Sequence, residues 1–79
     1  MIRVNDVVMH KGKYRAIKDV NDNGVYFKDL EDGIYCEFAR FEDVTELTKV
    51  ELCELFNNPE LYNELPQEVC VCLSDLIIN

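Results

Sequence analysis

The chain has 79 residues, of which 48% are apolar and 30% are charged, a balance typical of a folded globular protein. Its length suits one hydrophobic core, so we expect a single domain over residues 1–79. The apolar runs at 69–73 and 76–78 fall far short of the ~20 residues that span a bilayer, and the first residues lack an apolar secretory core. We therefore expect a cytoplasmic protein with reduced cysteines and no membrane contact.

The net charge of −8 is unevenly distributed along the chain. Residues 1–18 carry five cations against Asp6, a net of +4, whereas residues 19–79 carry three cations against 15 acids, a net of −12. Such asymmetry bears on partners and association rates rather than on fold.

Turn signals predict that the first 47 residues form an antiparallel meander. Gly12, Gly24 and Gly33 each follow a residue that suits a hairpin turn, and lysine, asparagine and aspartate precede them in that order. Asn-Gly and Asp-Gly pairs supply the positive φ of type I′ turns. Three turns in succession predict four strands, and residues 44–47 add a short fifth strand.

Apolar alternation assigns the faces of these strands. In the third strand, Val25 and Phe27 are expected to face the core. In the fourth strand, alternate residues are expected to face inward, namely Ile34, Cys36 and Phe38, and the others outward, namely Tyr35, Glu37 and Ala39. The second strand places Tyr14 and Ala16 on one face and Ile17 on the other, which predicts a bulge near Ile17.

After residue 47 the apolar spacing becomes helical. Thr48 and Glu51 form a capping box, and Asn58 followed by Pro59 starts a second short helix. Beyond Pro66 the apolar residues follow a helical period through Ile77, although alternation within 68–73 also permits a strand. The spacing favours helix. We predict an α+β fold in which a meander or small barrel of four or five strands (1–47) precedes a helical cap of two or three short helices (48–79).

Three features of residues 4–47 resemble small SH3-like β-barrels of the KOW or Tudor kind. They are the opening hairpin VVMHKGKYR, the three tight turns and the short closing strand after FEDV. The resemblance implies a binding module, because these barrels usually recognise peptides or nucleic acids. The chain lacks the aromatic-cage spacing of a methyl-lysine reader and is far more acidic than a KOW-type RNA binder, so the ligand class stays open.

Residues with catalytic or metal-binding chemistry are sparse. Of the four cysteines, only Cys70 and Cys72 are close in sequence, and on a helix they point about 200° apart. We therefore expect thiols packed in the core and no metal site. His10 is the single histidine, and a pair with Cys36 is disfavoured by the inward position expected for that thiol. We expect no enzymatic activity and no cofactor.

The acidic surface carries the leading functional hypothesis, a non-enzymatic module that docks on a basic surface of a larger protein. Its predicted contacts are Glu42, Asp43, Glu46, Glu51, Glu54, Glu60 and Glu64, with Tyr35 and Tyr62 as aromatic anchors. Size and charge suggest a phage or mobile-element inhibitor of nucleic-acid-handling machinery, of the anti-defence or anti-CRISPR type, acting as a monomer or small homo-oligomer. Acidic residues also serve solubility alone, which is the alternative reading of this surface.

The basic first hairpin carries the second hypothesis, a nucleic-acid or nucleotide binder. Its predicted contacts are Lys11, Lys13, Tyr14, Arg15 and Lys18, which would meet phosphates and stack a base. Direct nucleic-acid binding is the less favoured function, because the rest of the chain is strongly acidic. Pairing of these cations with nearby acids such as Asp6, Asp19 and Asp29 is the favoured interpretation of the hairpin charges.

Overall fold

A computed structural model of the chain describes residues 1–29 and 37–78. These residues form five strands and three α-helices, in the order β1 Val7–His10, β2 Lys13–Val20, β3 Gly24–Phe27, β4 Phe38–Arg40, β5 Thr45–Glu46, α1 Lys49–Phe56, α2 Pro59–Glu64 and α3 Gln67–Ile78. The strands make one antiparallel sheet in the order β4-β3-β2-β1-β5, with a short 3-10 turn between β4 and β5. The predicted α+β meander with C-terminal helices is confirmed, and the sheet is open rather than closed into a barrel.

Two of the three predicted glycine turns lie in the described residues, and they differ in the backbone conformation of the glycine. The hairpin turn predicted at Gly12 is confirmed between β1 and β2, and the positive φ of Lys11 and Gly12, 51° and 75°, is that of a type I′ turn. The type I′ prediction at Gly24 is wrong, since Gly24 does not have a positive φ and the Asn21 side chain accepts from its N–H at 2.9 Å. Glycine is needed there because a Cβ would lie 2.1 Å from the carbonyl oxygen of Ala39. The turn at Gly33 falls outside the described residues.

The β1–β2 hairpin is buried on both faces. The predicted bulge is confirmed, as the β2–β3 register shifts between Ile17 and Asp19. Ala16 and Ile17 are neighbours in sequence and both are fully buried, one on each face. The helix-side core consists of Val7, Ala16, Leu55, Val69, Cys72 and Leu73. The strand-side core consists of Val8, Ile17, Val25, Phe27, Ala39 and Val44.

The facing of β4 is the reverse of the prediction. Ala39 is 5% exposed and lies in the strand-side core, whereas Phe38 is 40% exposed. The register pairs Val25 with Ala39, so these two point inward together, and it places the ring of Phe38 5.1 Å from the ring of Tyr26 outside. The close approach of β3 and β4 at Gly24 admits a small inward side chain. Ile34, Tyr35 and Cys36 lie outside the described residues.

The helix boundaries follow the sequence signals. The Thr48 hydroxyl accepts from the Glu51 N–H at 3.1 Å and the Glu51 carboxylate accepts from the Thr48 N–H at 3.0 Å, which confirms the capping box. Asn58 caps α2, with Pro59 as its first residue. Residues 68–73 belong to α3, which packs on β1 and β2 and confirms the helical alternative. Every helix formed by the described residues is too short or too polar to cross a membrane.

Candidate docking site

The seven carboxylates predicted for the acidic face are all exposed, but several already have partners within the fold. Glu46 lies 2.9 Å from the Met1 amino group, and Glu42 lies 3.6 Å from the Arg40 guanidinium. Glu51 is used by the capping box, and the hydrogen bonds from the Thr48 backbone and hydroxyl lower the pKa of its carboxyl. Glu51 therefore serves local structure, and Glu42 and Glu46 already have cationic neighbours.

The acids at the middle of α1 and along α2 differ from the two acids with cationic neighbours in having no ion-pair partner among the described residues. Glu54, Glu60 and Glu64, here called the helical acids, are exposed and form no ion pair with any residue in 1–29 or 37–78. Lys49 is the single cation in residues 48–79. The negative charge of this part of the surface is therefore uncompensated, and it is available to a cationic partner. Asp43 is likewise exposed, and its carbonyl oxygen rather than its side chain is used by the fold.

The expectation that Tyr62 is exposed is wrong, whereas its role as an aromatic anchor stays a prediction. Tyr62 is half-buried against the helix-side core, and its ring meets that of Phe56 edge-on with centroids 5.7 Å apart. Partial burial, together with the neighbouring Cys70 thiol, raises the pKa of the Tyr62 hydroxyl. That thiol donates to the carbonyl oxygens of Tyr62 and Leu65, at 3.6 and 3.8 Å, where α2 ends. The other predicted anchor, Tyr35, lies outside the described residues.

In the hairpin predicted to bind nucleic acid, the central cation, Arg15, is already bound to other residues of the fold. Arg15 is 18% exposed, its guanidinium donates to the Glu37 carboxylate at 2.6 Å, and it lies 4.4 Å from the centroid of the Phe27 ring. The hydrogen bond from Arg15 lowers the pKa of the Glu37 carboxyl. The acid that pairs with Arg15 is therefore Glu37, not one of the acids near it in sequence. Tyr14 packs on the helix-side core, whereas Lys11, Lys13 and Lys18 are exposed.

His10 joins this arrangement from the buried side, which the sequence did not indicate. Its side chain is 5% exposed, Nδ1 lies 3.0 Å from the carbonyl oxygen of Asp43, and Nε2 lies 3.8 Å from the Glu37 carboxylate. Its ring stands 5.0 Å from that of Phe27. The hydrogen bond gives the buried imidazole a polar partner, so a structural role accounts for its burial. A lone histidine in a strand gives no signal of its polar partners, because Glu37 and Asp43 lie 27 and 33 residues further along the chain.

A groove of about 880 Å³ separates the end of the β1–β2 hairpin from the connection between α2 and α3. Its lining includes members of both predicted sites, with Lys13, Tyr14 and Arg15 on one side and Glu64 on the other. Its remaining lining residues are Gly12, Asp29, Glu37, Leu61, Leu65, Pro66, Gln67 and Glu68. The groove was missed because it forms only when the helices fold back on the hairpin.

Within the described residues, no group of three or more histidine, cysteine or acidic side chains is arranged to hold a metal ion. Cys53, Cys70 and Cys72 are free thiols, and Cys72 is buried in the helix-side core. Cys36 lies outside the described residues. Comparisons of the chain with protein-family models, with curated proteins and with solved structures find no match.

Proposed function

We propose that this chain is a non-enzymatic, cytoplasmic protein-interaction module that docks its helical acids on a basic surface of a larger protein. The observation that carries the proposal is that Glu54, Glu60 and Glu64 are exposed and lack an ion-pair partner among the described residues, in a segment with a single cation. Carboxylates that the fold does not use are available to attract a cationic surface.

The same charges favour a partner that handles nucleic acid. A protein that binds nucleic acid presents lysines and arginines to phosphates, and an acidic module that covers them would compete with the natural substrate. In this form the chain is a phage or mobile-element inhibitor of the anti-defence or anti-CRISPR type. Direct nucleic-acid binding has less support, because Arg15 is tied to Glu37 and Tyr14 packs on the core.

A charge-matched pair of variants tests the docking surface. Substituting glutamine for Glu54, Glu60 and Glu64 changes the net charge by +3, and the control D22K/N23K makes the same change in the exposed β2–β3 turn. Glu51 is left intact because it holds the start of α1. Each tagged protein is incubated with nuclease-treated bacterial lysate and eluted with a salt gradient, and bound proteins are quantified by mass spectrometry.

We expect the wild-type chain and the control to retain a common protein that leaves at moderate salt, and we expect the triple variant to lose it. Screening weakens contacts between exposed charges, so the retained partner should elute earlier as the helical acids are removed one by one. Equal retention by the triple variant and the control would contradict the proposal. Binding that is seen only in a parallel lysate without nuclease would instead favour the basic hairpin.

A further inference from the structure

The groove beside α2 presents apolar surface to solvent. Leu61 is 43% exposed, and Leu65 and Pro66 continue the apolar lining where α2 gives way to α3. A volume of about 880 Å³ is near the top of the range for ligand-binding clefts, roughly 300 to 1,000 Å³. The site is therefore large enough for several side chains of a partner rather than for a single ion.

The charges around the groove favour a cationic occupant. Two cations and four carboxylates line it, a net of −2. Arg15 is already neutralised by Glu37, while Glu64 and Glu68 have no ion pair with a described residue. Glu64 and Glu68 flank Leu65 and Pro66 in the sequence, and all four residues line the groove, so a cation bound at these acids would have apolar neighbours.

We infer that the groove receives a segment of the protein partner in which a lysine or arginine stands beside an apolar side chain. The cation meets Glu64 and Glu68, and the apolar side chain covers Leu61. This inference rests on the proposed function, because it assigns the place where a basic partner is held. Charge complementarity disfavours a phosphate or an acidic peptide in the same site.

Two short peptides and two matched double variants test the assignment. The probe is the fluorescein-labelled, end-blocked peptide GLRLRG, and the peptide GLELEG serves as its acidic counterpart. The groove variant is L61Q/E64Q. The control V50Q/D75Q also replaces one exposed apolar residue and one exposed acid that has no ion pair with a described residue, but these two residues lie on α1 and α3, outside the groove. Fluorescence anisotropy gives the dissociation constants, and circular dichroism checks the fold of each variant.

We expect saturable binding of GLRLRG to the wild-type chain, about tenfold weaker binding to L61Q/E64Q and unchanged binding to V50Q/D75Q. GLELEG should not bind. The single variant E64Q should show a smaller loss of GLRLRG binding. Because Glu64 is exposed, this variant still tests the groove if the double variant unfolds.

Equal loss of GLRLRG binding in both double variants would overturn the groove assignment and leave acidic docking in place. No saturable binding of GLRLRG would also overturn the groove, whereas the proposed function would still be decided by the protein retained from lysate. Tight binding of GLELEG would mean that the hairpin cations, not the acids, select the occupant.

Discussion

The β1–β2 hairpin and the two helices α1 and α2 carry opposite charges, and the fold uses those charges differently. On the hairpin, Arg15 is held between the Glu37 carboxylate and the Phe27 ring. On the helices, Glu54 and Glu60 contact no cation among the described residues. The number of charges in a segment therefore does not show how many are available to a partner. The available charges are those that folding leaves unpaired.

Truncation of Arg15 should have the largest effect on stability. Arg15→Ala removes a charge-assisted hydrogen bond, a cation–π contact and the packing of the arginine stem. We expect a loss of about 2 kcal/mol in the free energy of unfolding, measured by urea denaturation. Lys13→Ala, which truncates an exposed cation of the same strand, should change it by under about 0.5 kcal/mol. Equal effects of the two variants would mean that Arg15 is as available as Lys13.

The capping box at the start of α1 gives Glu51 a structural role that the helical acids do not have. Thr48→Ala removes the hydroxyl that caps α1, so we expect a loss of about 1 kcal/mol in the free energy of unfolding. Thr45→Ala, which changes an exposed threonine of β5, is the control and should cost less. If Thr48→Ala leaves the stability unchanged, Glu51 is not fixed by the capping box and belongs with the acids available for docking.

The pairing of Glu37 with Arg15 should appear as a dependence of stability on pH. Because the hydrogen bond from Arg15 lowers the pKa of Glu37, the stabilisation is fully present above the usual carboxyl pKa and is lost as pH falls through the lowered value. Wild type should therefore exceed Glu37→Gln in stability at neutral pH, by under about 1 kcal/mol because Glu37 is half-exposed. The gap should close in acid.

Urea denaturation at a series of pH values measures this gap. Glu54→Gln is the control, since it neutralises an exposed acid that has no cation partner among the described residues. A gap between wild type and Glu37→Gln that persists at low pH would contradict the ion pair as its cause.

Neutralisation of the helical acids should have the smallest effect on stability. We expect E54Q/E60Q to stay within about 0.5 kcal/mol of wild type in urea denaturation, because no ion pair with a described residue is lost. The fold would then not depend on the charges that we assign to docking. A clear loss of stability would show that these acids serve the fold, as Glu51 does.

Local signals accounted for most of the fold. The Lys11-Gly12 turn, the bulge near Ile17 and the caps at Thr48 and Asn58 follow from residues within a few positions of each other. The predicted facing of β4 was wrong because the facing depends on the register of β4 against β3. A register shift of one residue moves every side chain to the opposite face of the sheet. At position 24, glycine is required because the Ala39 carbonyl oxygen leaves no room for a Cβ. The sequence alone indicates only that Gly24 is a residue typical of turns.

The candidate site was less predictable than the fold, because most of its contacts join residues that are distant in the sequence. The acids of α1 and α2 were identified from charge, but the ion pair of Arg15 with Glu37 joins residues 22 positions apart. The core position of Tyr62 depends on how α2 packs against α1. The groove combines the hairpin with the α2–α3 connection, so neither segment alone shows it.

Opposite charge reversals in the two regions distinguish docking through the helical acids from binding through the hairpin cations. E54K/E60K changes the net charge by +4 on the helices, and K11E/K13E changes it by −4 at the exposed end of the hairpin. Both variants and wild type are compared for the protein retained from nuclease-treated lysate, and for the nucleic acid retained without nuclease. We predict that the helix variant loses the protein partner and that the hairpin variant keeps it. Loss in the hairpin variant alone, or retention of nucleic acid that only this variant abolishes, would contradict the account.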